Sequence, residues 1–177
     1  MKSILLIYKT DTGFTKKYAD WIAEKIPCKM VLLDEIGQLD MASFDVIIYG
    51  SGIHAGHIKG LKDFKKSIEA LDKKKPVIVF ATGGAPYTEA IFSKIKANNF
   101  SPSEQNDIAF FYFESGINYE KMGLLDKAIM KSYNKVLSLK NNKSEVEKGT
   151  SEAISRSYDH CDIENIIPLV EHVDKLV

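Results

Sequence analysis

Apolar runs of strand length alternate along this chain with segments of helical period. The runs at 3–8, 29–33, 45–50, 76–82 and 107–113 read as strands, and helical spacing marks 14–26, 60–71, 87–97, 122–140 and 167–176. Val46-Ile47-Ile48-Tyr49 and Val77-Ile78-Val79-Phe80 are apolar without interruption, as central parallel strands covered on both faces should be. In the second helix Leu61, Phe64, Ile68 and Leu71 share one face, with lysines on the other. Trp21 lies one turn beyond Tyr18 on the apolar face of the first helix and reads as core. The run Phe110-Phe111-Tyr112-Phe113 reads as a buried fifth strand. Pro168 belongs in the first turn of the last helix, where its missing N–H is no loss. This alternation implies an α/β fold: a doubly wound five-stranded parallel sheet with right-handed crossovers, order 2-1-3-4-5, and helices on both faces.

Composition narrows the function classes. The chain has 177 residues, and 24 basic side chains balance 24 acidic ones. That length suits a single domain over 1–177. A net charge of zero offers no field for nucleic acid or acidic lipid. No apolar run approaches a membrane span, and no signal-peptide cleavage pattern follows Met1-Lys2-Ser3. Two distant cysteines, Cys28 and Cys161, read as free thiols in a reducing cytoplasm. Lys73-Lys74-Lys75 reads as a solvated turn, and 141–145 as a polar loop.

The densest chemistry follows the first strand. Thr10-Asp11-Thr12-Gly13-Phe14-Thr15 places three hydroxyls and a glycine between a strand and a helix, an arrangement that aims N–H groups and a positive helix end at an anion. No GK[ST] ending is present, so the loop suits a phosphate that is held and not transferred. The plainer reading is a threonine-capped helix start. Lys16 and Lys17, in the first helical turn, either assist a dianion or extend into water. In doubly wound sheets ligands sit beyond the carboxyl ends of the strands, where the winding reverses. The loops at that edge are 9–15, 51–59 and 82–87, all rich in Gly, Ser or Thr. Strand 3 ends in Ile47-Ile48-Tyr49-Gly50 with no acceptor aspartate, which argues against a response-regulator receiver.

The stretch Leu6-Ile7-Tyr8, Lys9, Thr10, Asp11-Thr12, Gly13, Phe14, Thr15, Lys16-Lys17-Tyr18, Ala19, Asp20-Trp21, Ile22 meets every constrained position of the flavodoxin FMN signature. The chain therefore resembles the flavodoxin-like FMN-binding family. Within it the chain looks most like the branch that includes the menaquinone-dependent protoporphyrinogen oxidase. The stretches that carry this second likeness are Gly50-Ser51-Gly52-Ile53-His54-Ala55-Gly56-His57, Glu114-Ser115-Gly116-Ile117-Asn118-Tyr119, and a helical insertion near 116–140. Two departures stand out. Ala81-Thr82-Gly83-Gly84-Ala85-Pro86-Tyr87 turns quickly into a helix where the oxidase has a longer, more basic segment, and this chain is neutral where the oxidase is basic and electron-carrier flavodoxins are acidic.

The resemblance implies FMN as cofactor, with its phosphate held by the Thr10, Thr12 and Thr15 hydroxyls and the N–H groups of Asp11 to Thr15. Gly52, Ile53, His54, Ala55, Gly56 and His57 would pass the isoalloxazine ring, with the Ala55-Gly56 peptide offering a carbonyl to ring N5–H in the reduced states; a plain turn is the other reading of Gly56. His54 and His57 serve as proton donors, as anchors for an anionic substrate, or as loop histidines without a role. Thr82, Gly83, Gly84 and Ala85 would meet the ring edge, and Tyr87 either stacks on the flavin or packs locally. Tyr119, Met122, Leu124, Leu125, Ile129 and Tyr133 are expected to pack on the sheet, with a lip over the flavin as the alternative. The implied function is electron transfer with a redox partner protein or a small-molecule or quinone acceptor. A flavin-dependent oxidase or dehydrogenase, and a non-redox binding module that has lost the flavin, remain as alternatives. No side chain stands out as a catalytic acid or base.

Overall fold

The computed structural model describes residues 2–72, 74–139 and 156–176. In chain order the elements are β1 (Ile4–Lys9), α1 (Phe14–Lys25), β2 (Lys29–Leu32), β3 (Val46–His54), β4 (His57–Ile58), α2 (Leu61–Ile68), β5 (Val77–Gly83), α3 (Glu89–Asn99), α4 (Glu104–Asp107), β6 (Ile108–Glu114), β7 (Gly116–Ile117), α5 (Leu124–Leu139), β8 (Tyr158–Asp159) and α6 (Ile167–Asp174). The parallel sheet runs β2-β1-β3-β5-β6, which is the expected 2-1-3-4-5 order of the five long strands. β7 and β8 form a separate antiparallel pair that sequence patterning did not foresee.

The period-2 alternation of the strands divides the core between two faces. Leu6, Ile48, Ile78 and Phe80 pack with Tyr18 and Ile22 of α1 and with Leu169 and Val173 of α6. Ile7, Ile47, Tyr49 and Val79 pack with Phe64 of α2 and with Ile95 of α3. Tyr49 stacks on Phe64 with ring centroids 4.4 Å apart. Gly50 lies beside Phe80 in register, and a Cβ there would sit 2.0 Å from the phenyl ring, so only glycine lets the ring lie across the strand. Trp21 is half-buried: it packs edge-on to Tyr18 while the Lys17 ammonium lies 5.1 Å from its ring centre.

Two expectations change. β3 runs past the expected end at residue 50 to His54 and turns back as β4, so half of the middle loop is a hairpin. Lys75 is not a solvated lysine, because its ammonium donates to the carbonyls of Met41, Ala42 and Phe44 and so closes a 3₁₀ turn. Lys73 and the 141–145 segment lie outside the described residues. Pro168 falls in the first turn of α6, as its chemistry requires.

Tyr18 ties the start of the first crossover to the last. Its hydroxyl donates to Glu114 O and accepts from Asp162 N at 3.2 Å and Asn165 Nδ2 at 3.0 Å. Burial pushes the phenol up to about 12. The native state therefore keeps this proton where the unfolded chain, near the ordinary value of 10, gives it up. Stability from this group is complete below pH 10 and falls away between about 10 and 12. Tyr18→Phe is expected to cost about 1–3 kcal/mol at neutral pH by stranding its partners. The gap from wild type should narrow across that alkaline window, as read by urea midpoints against pH. A gap that stays constant to pH 12 would contradict this assignment.

Candidate functional site

The site is built at the carboxyl edge of the sheet, where β1, β3 and β5 release their loops. Gly13 takes φ 96°, a left-handed conformation that other residues resist. That conformation lets α1 begin directly at Phe14. No side chain caps this helix. The Thr10 hydroxyl instead accepts from the Gly13 N–H at 3.1 Å and closes the loop upon itself. The first-turn N–H groups of α1, which have no intrahelical carbonyls, thus point out of an uncapped positive helix end. The plainer sequence reading, a threonine cap, is not what the chain builds.

Thr15 is buried, and its hydroxyl shares a hydrogen bond with that of Thr82 at 2.8 Å, which joins the first loop to the third. Ser51 is also buried. Burial pushes the Tyr49 phenol up, which the nearby Ser51 hydroxyl only partly offsets, and no partner meets Ser51 Oγ with hydrogen-bonding geometry. A buried hydroxyl left so carries a desolvation cost of about 1–3 kcal/mol, a reason to expect a ligand or water against it.

These residues line a cleft of about 1000 Å³, the upper end of the range for cofactor sites. Of the sequence-predicted residues, the structure brings Asp11, Thr12, Phe14, Thr15, Gly52, Ile53, His54, Ala55, Thr82, Gly83, Gly84 and Ala85 to its wall. Thr10 and Gly13 shape the first loop without lining the cleft. Gly56 and His57 sit on the far side of the hairpin, and His57 lines a separate groove with Lys62 and Asn99. Tyr87 is 51% exposed, donates to Glu89 Oε1 at 2.8 Å and stands off the cleft.

The hairpin turn is strained. Ala55 has φ 49° and Gly56 φ 82°, the positive pair of a type I′ turn. Alanine in that region costs about 1–2 kcal/mol, and it does so at the cleft wall.

The sequence did not single out the roof as such. Ile117, Asn118, Met122, Asp126, Ile129 and Met130 of the insertion complete the cleft. The expected packing of 116–135 on the sheet thus gives way to the lip. Ile129 lines the cleft while 47% exposed, and Leu124 is 86% exposed. The side chains of Leu125 and Tyr133 lie outside the described ones. Asp126 holds the roof to the middle loop: it pairs with Lys59, whose Nζ lies 3.7 Å away, and stands 3.7 Å from His54 Nδ1, while Lys59 also pairs with Asp11. Partial burial pulls the Lys59 ammonium down, yet Asp11 and Asp126 outweigh it and hold it above its usual range. Tyr158, from the last quarter of the chain, lines the cleft and donates to Gly84 O at 2.7 Å, fixing the third loop.

The cation that reaches the first loop is not the one nearest in sequence. Lys16 pairs with Asp20 and Lys17 with Asp159, each at 2.8 Å. Lys121, from the roof, brings its ammonium to 3.6 Å from where a Gly13 Cβ would lie. Among the described residues no cluster of His, Cys, Asp and Glu could hold a metal ion.

The uncapped helix end offers N–H donors to an anion, and Ile53, Ile91, Met122 and Met130 give the cleft an apolar lining that suits a flat ring. Comparison with known proteins agrees with this architecture. The chain is 30% identical over 95 residues to an uncharacterized protein of Methanocaldococcus jannaschii, a match that spans 53% of this chain and 62% of that one. Similar solved structures include a flavoprotein in complex with FMN from Lactobacillus acidophilus, at 18% identity and TM-score 0.43, covering 64% of this chain and 91% of that one. The Trp repressor binding protein of Bacillus subtilis is similar at 13% identity and TM-score 0.47, covering 79% of this chain and 99% of that one. Likenesses this distant carry neither a site nor an activity. The flavodoxin domain model matches residues 5–144, and the chain belongs to that family.

Proposed function

We propose that this chain binds FMN and passes electrons through it to a redox partner protein or to a small-molecule acceptor such as a quinone. The observation that carries this reading is the uncapped end of α1 at the Thr10–Thr15 loop, opening into the large, mostly apolar cleft. Bound FMN would supply the redox chemistry, and the protein would supply binding, orientation and tuning. The first-turn N–H groups and the Thr12 hydroxyl would hold the phosphate, with the Lys121 ammonium adding charge from the roof. Ser51 Oγ offers a hydroxyl that now has no partner. Ile53, Met122, Ile129 and Met130 would exclude water from the ring, and Ala55 would stand beside it.

A second reading is favoured by the roof. An enclosed apolar cleft suits a flavin-dependent oxidase or dehydrogenase acting on a flat organic substrate, in the manner of the menaquinone-dependent protoporphyrinogen oxidase. A module that has lost its flavin is disfavoured by the size of the cleft and the orphaned Ser51 hydroxyl. A cytoplasmic setting completes the proposal. It suits Cys28 and Cys161, two free thiols that burial pushes up to about 11 and about 12. Among the described residues no helix is long and apolar enough to cross a membrane.

Titrating the purified chain into FMN is expected to quench flavin fluorescence with one-to-one stoichiometry; fluorescence that stays at the level of free FMN would remove the proposal. Lys121→Met is expected to weaken FMN binding by about threefold to tenfold, the worth of one partly screened charge. Riboflavin, which lacks the phosphate, should be affected less than twofold. Equal losses for both ligands would place Lys121 away from the phosphate.

A further inference from the structure

The β3–β4 hairpin presents Ala55 to the cleft and turns its other side to α3. β4 is two residues long and, among the described residues, has no strand beyond it. Asn99, the last residue of α3, takes the place of that strand. Its Nδ2 donates to Gly56 O at 2.9 Å and to Ile95 O at 2.8 Å, and its Oδ1 accepts from Ile58 N at 2.8 Å. The partners settle the orientation of the carboxamide, because its oxygen faces a donor and its nitrogen faces two acceptors. Asn98 stands next to it, with Nδ2 3.0 Å from the place of a Gly56 Cβ.

This contact is selective. Asn99 grips the two peptides on either side of His57 and leaves out the one between Ala55 and Gly56. Reversal of that remaining peptide to a type II′ turn would carry Ala55, the first central residue, into a backbone region that only glycine tolerates. With Asn99 fixing the peptides on both sides of His57, the turn is held in its strained type I′ form beside the cleft.

We propose that Asn99 is a positioning residue which, from outside the cleft, holds the β3–β4 hairpin in its strained type I′ form and so sets the reduction potential of bound FMN. This rests on the flavin reading above. Asn99 touches neither the cleft nor the cofactor, and its effect passes through the hairpin.

The test is the two-electron midpoint potential of the FMN-loaded protein, wild type against Asn99→Asp and Asn99→Leu. Aspartate cannot donate to Gly56 O, and leucine removes all three bonds at similar volume. Both variants are expected to bind FMN within about fivefold of wild type while the ratio of affinities for reduced and oxidised FMN changes about tenfold, ~30 mV. Lys65→Met is the control, since Lys65 donates only to the Asn99 backbone carbonyl on this side and pairs with Glu104; its potential should match wild type. In flavin-free protein, amide exchange at Ile58 should speed up at least tenfold in Asn99→Leu. Normal FMN uptake with unchanged potentials would overturn the proposal alone. A wild-type chain that takes up no FMN would overturn the flavin reading and this proposal with it. Failure of both variants to fold would also overturn it, because Asn99 would then serve folding and not positioning.

Discussion

The site depends on one backbone conformation, the left-handed Gly13 that lets α1 start without a side-chain cap. A helix that begins in this way keeps its first-turn N–H groups exposed to whatever lies in front of them. A threonine or serine cap would have satisfied them locally and closed the site to anions. Here the hydroxyls are directed elsewhere. Thr10 closes the loop on itself and Thr15 ties it to Thr82, so the positive end is held rigidly while remaining unsatisfied.

The rest of the molecule holds that end in place. Apolar packing on both faces fixes the sheet, and Tyr18 anchors α1 to the end of β6 and to the turn before α6. The parallel sheet then gathers three loops at one edge, as open α/β folds do at the reversal of winding. The insertion adds what a bare sheet edge lacks. Its apolar side chains roof the cleft, and Asp126 joins that roof to Lys59 and His54 of the middle loop. A roof held by partly exposed ion pairs is the kind of contact that opens at modest cost.

Much of this was legible in the sequence, for identifiable reasons. Four of the five sheet strands are mostly continuous apolar runs, and the glycine and threonine loop marks the site edge by composition alone. The hairpin was not legible. Gly50, Gly52 and Gly56 dilute the strand pattern, and the continuation of β3 to His54 is stabilised by two antiparallel pairings that leave no periodicity. The roof was visible as a helix but not as a wall, because its apolar residues are as consistent with core packing as with a lip. Lys121, Asn99 and Tyr158 were invisible as site or support residues, since each reaches its place from a distant segment with no motif around it.

The most direct measurement of the central claim is the change in backbone amide resonances when FMN is added to the isotope-labelled chain. The account predicts the largest downfield proton shifts at the amides of Thr12 to Thr15, where phosphate oxygens would accept hydrogen bonds, with smaller ring-current shifts along Gly52 to Ala55. Shifts confined to other surfaces, such as the groove of His57 and Lys62, with the loop amides unmoved, would contradict it.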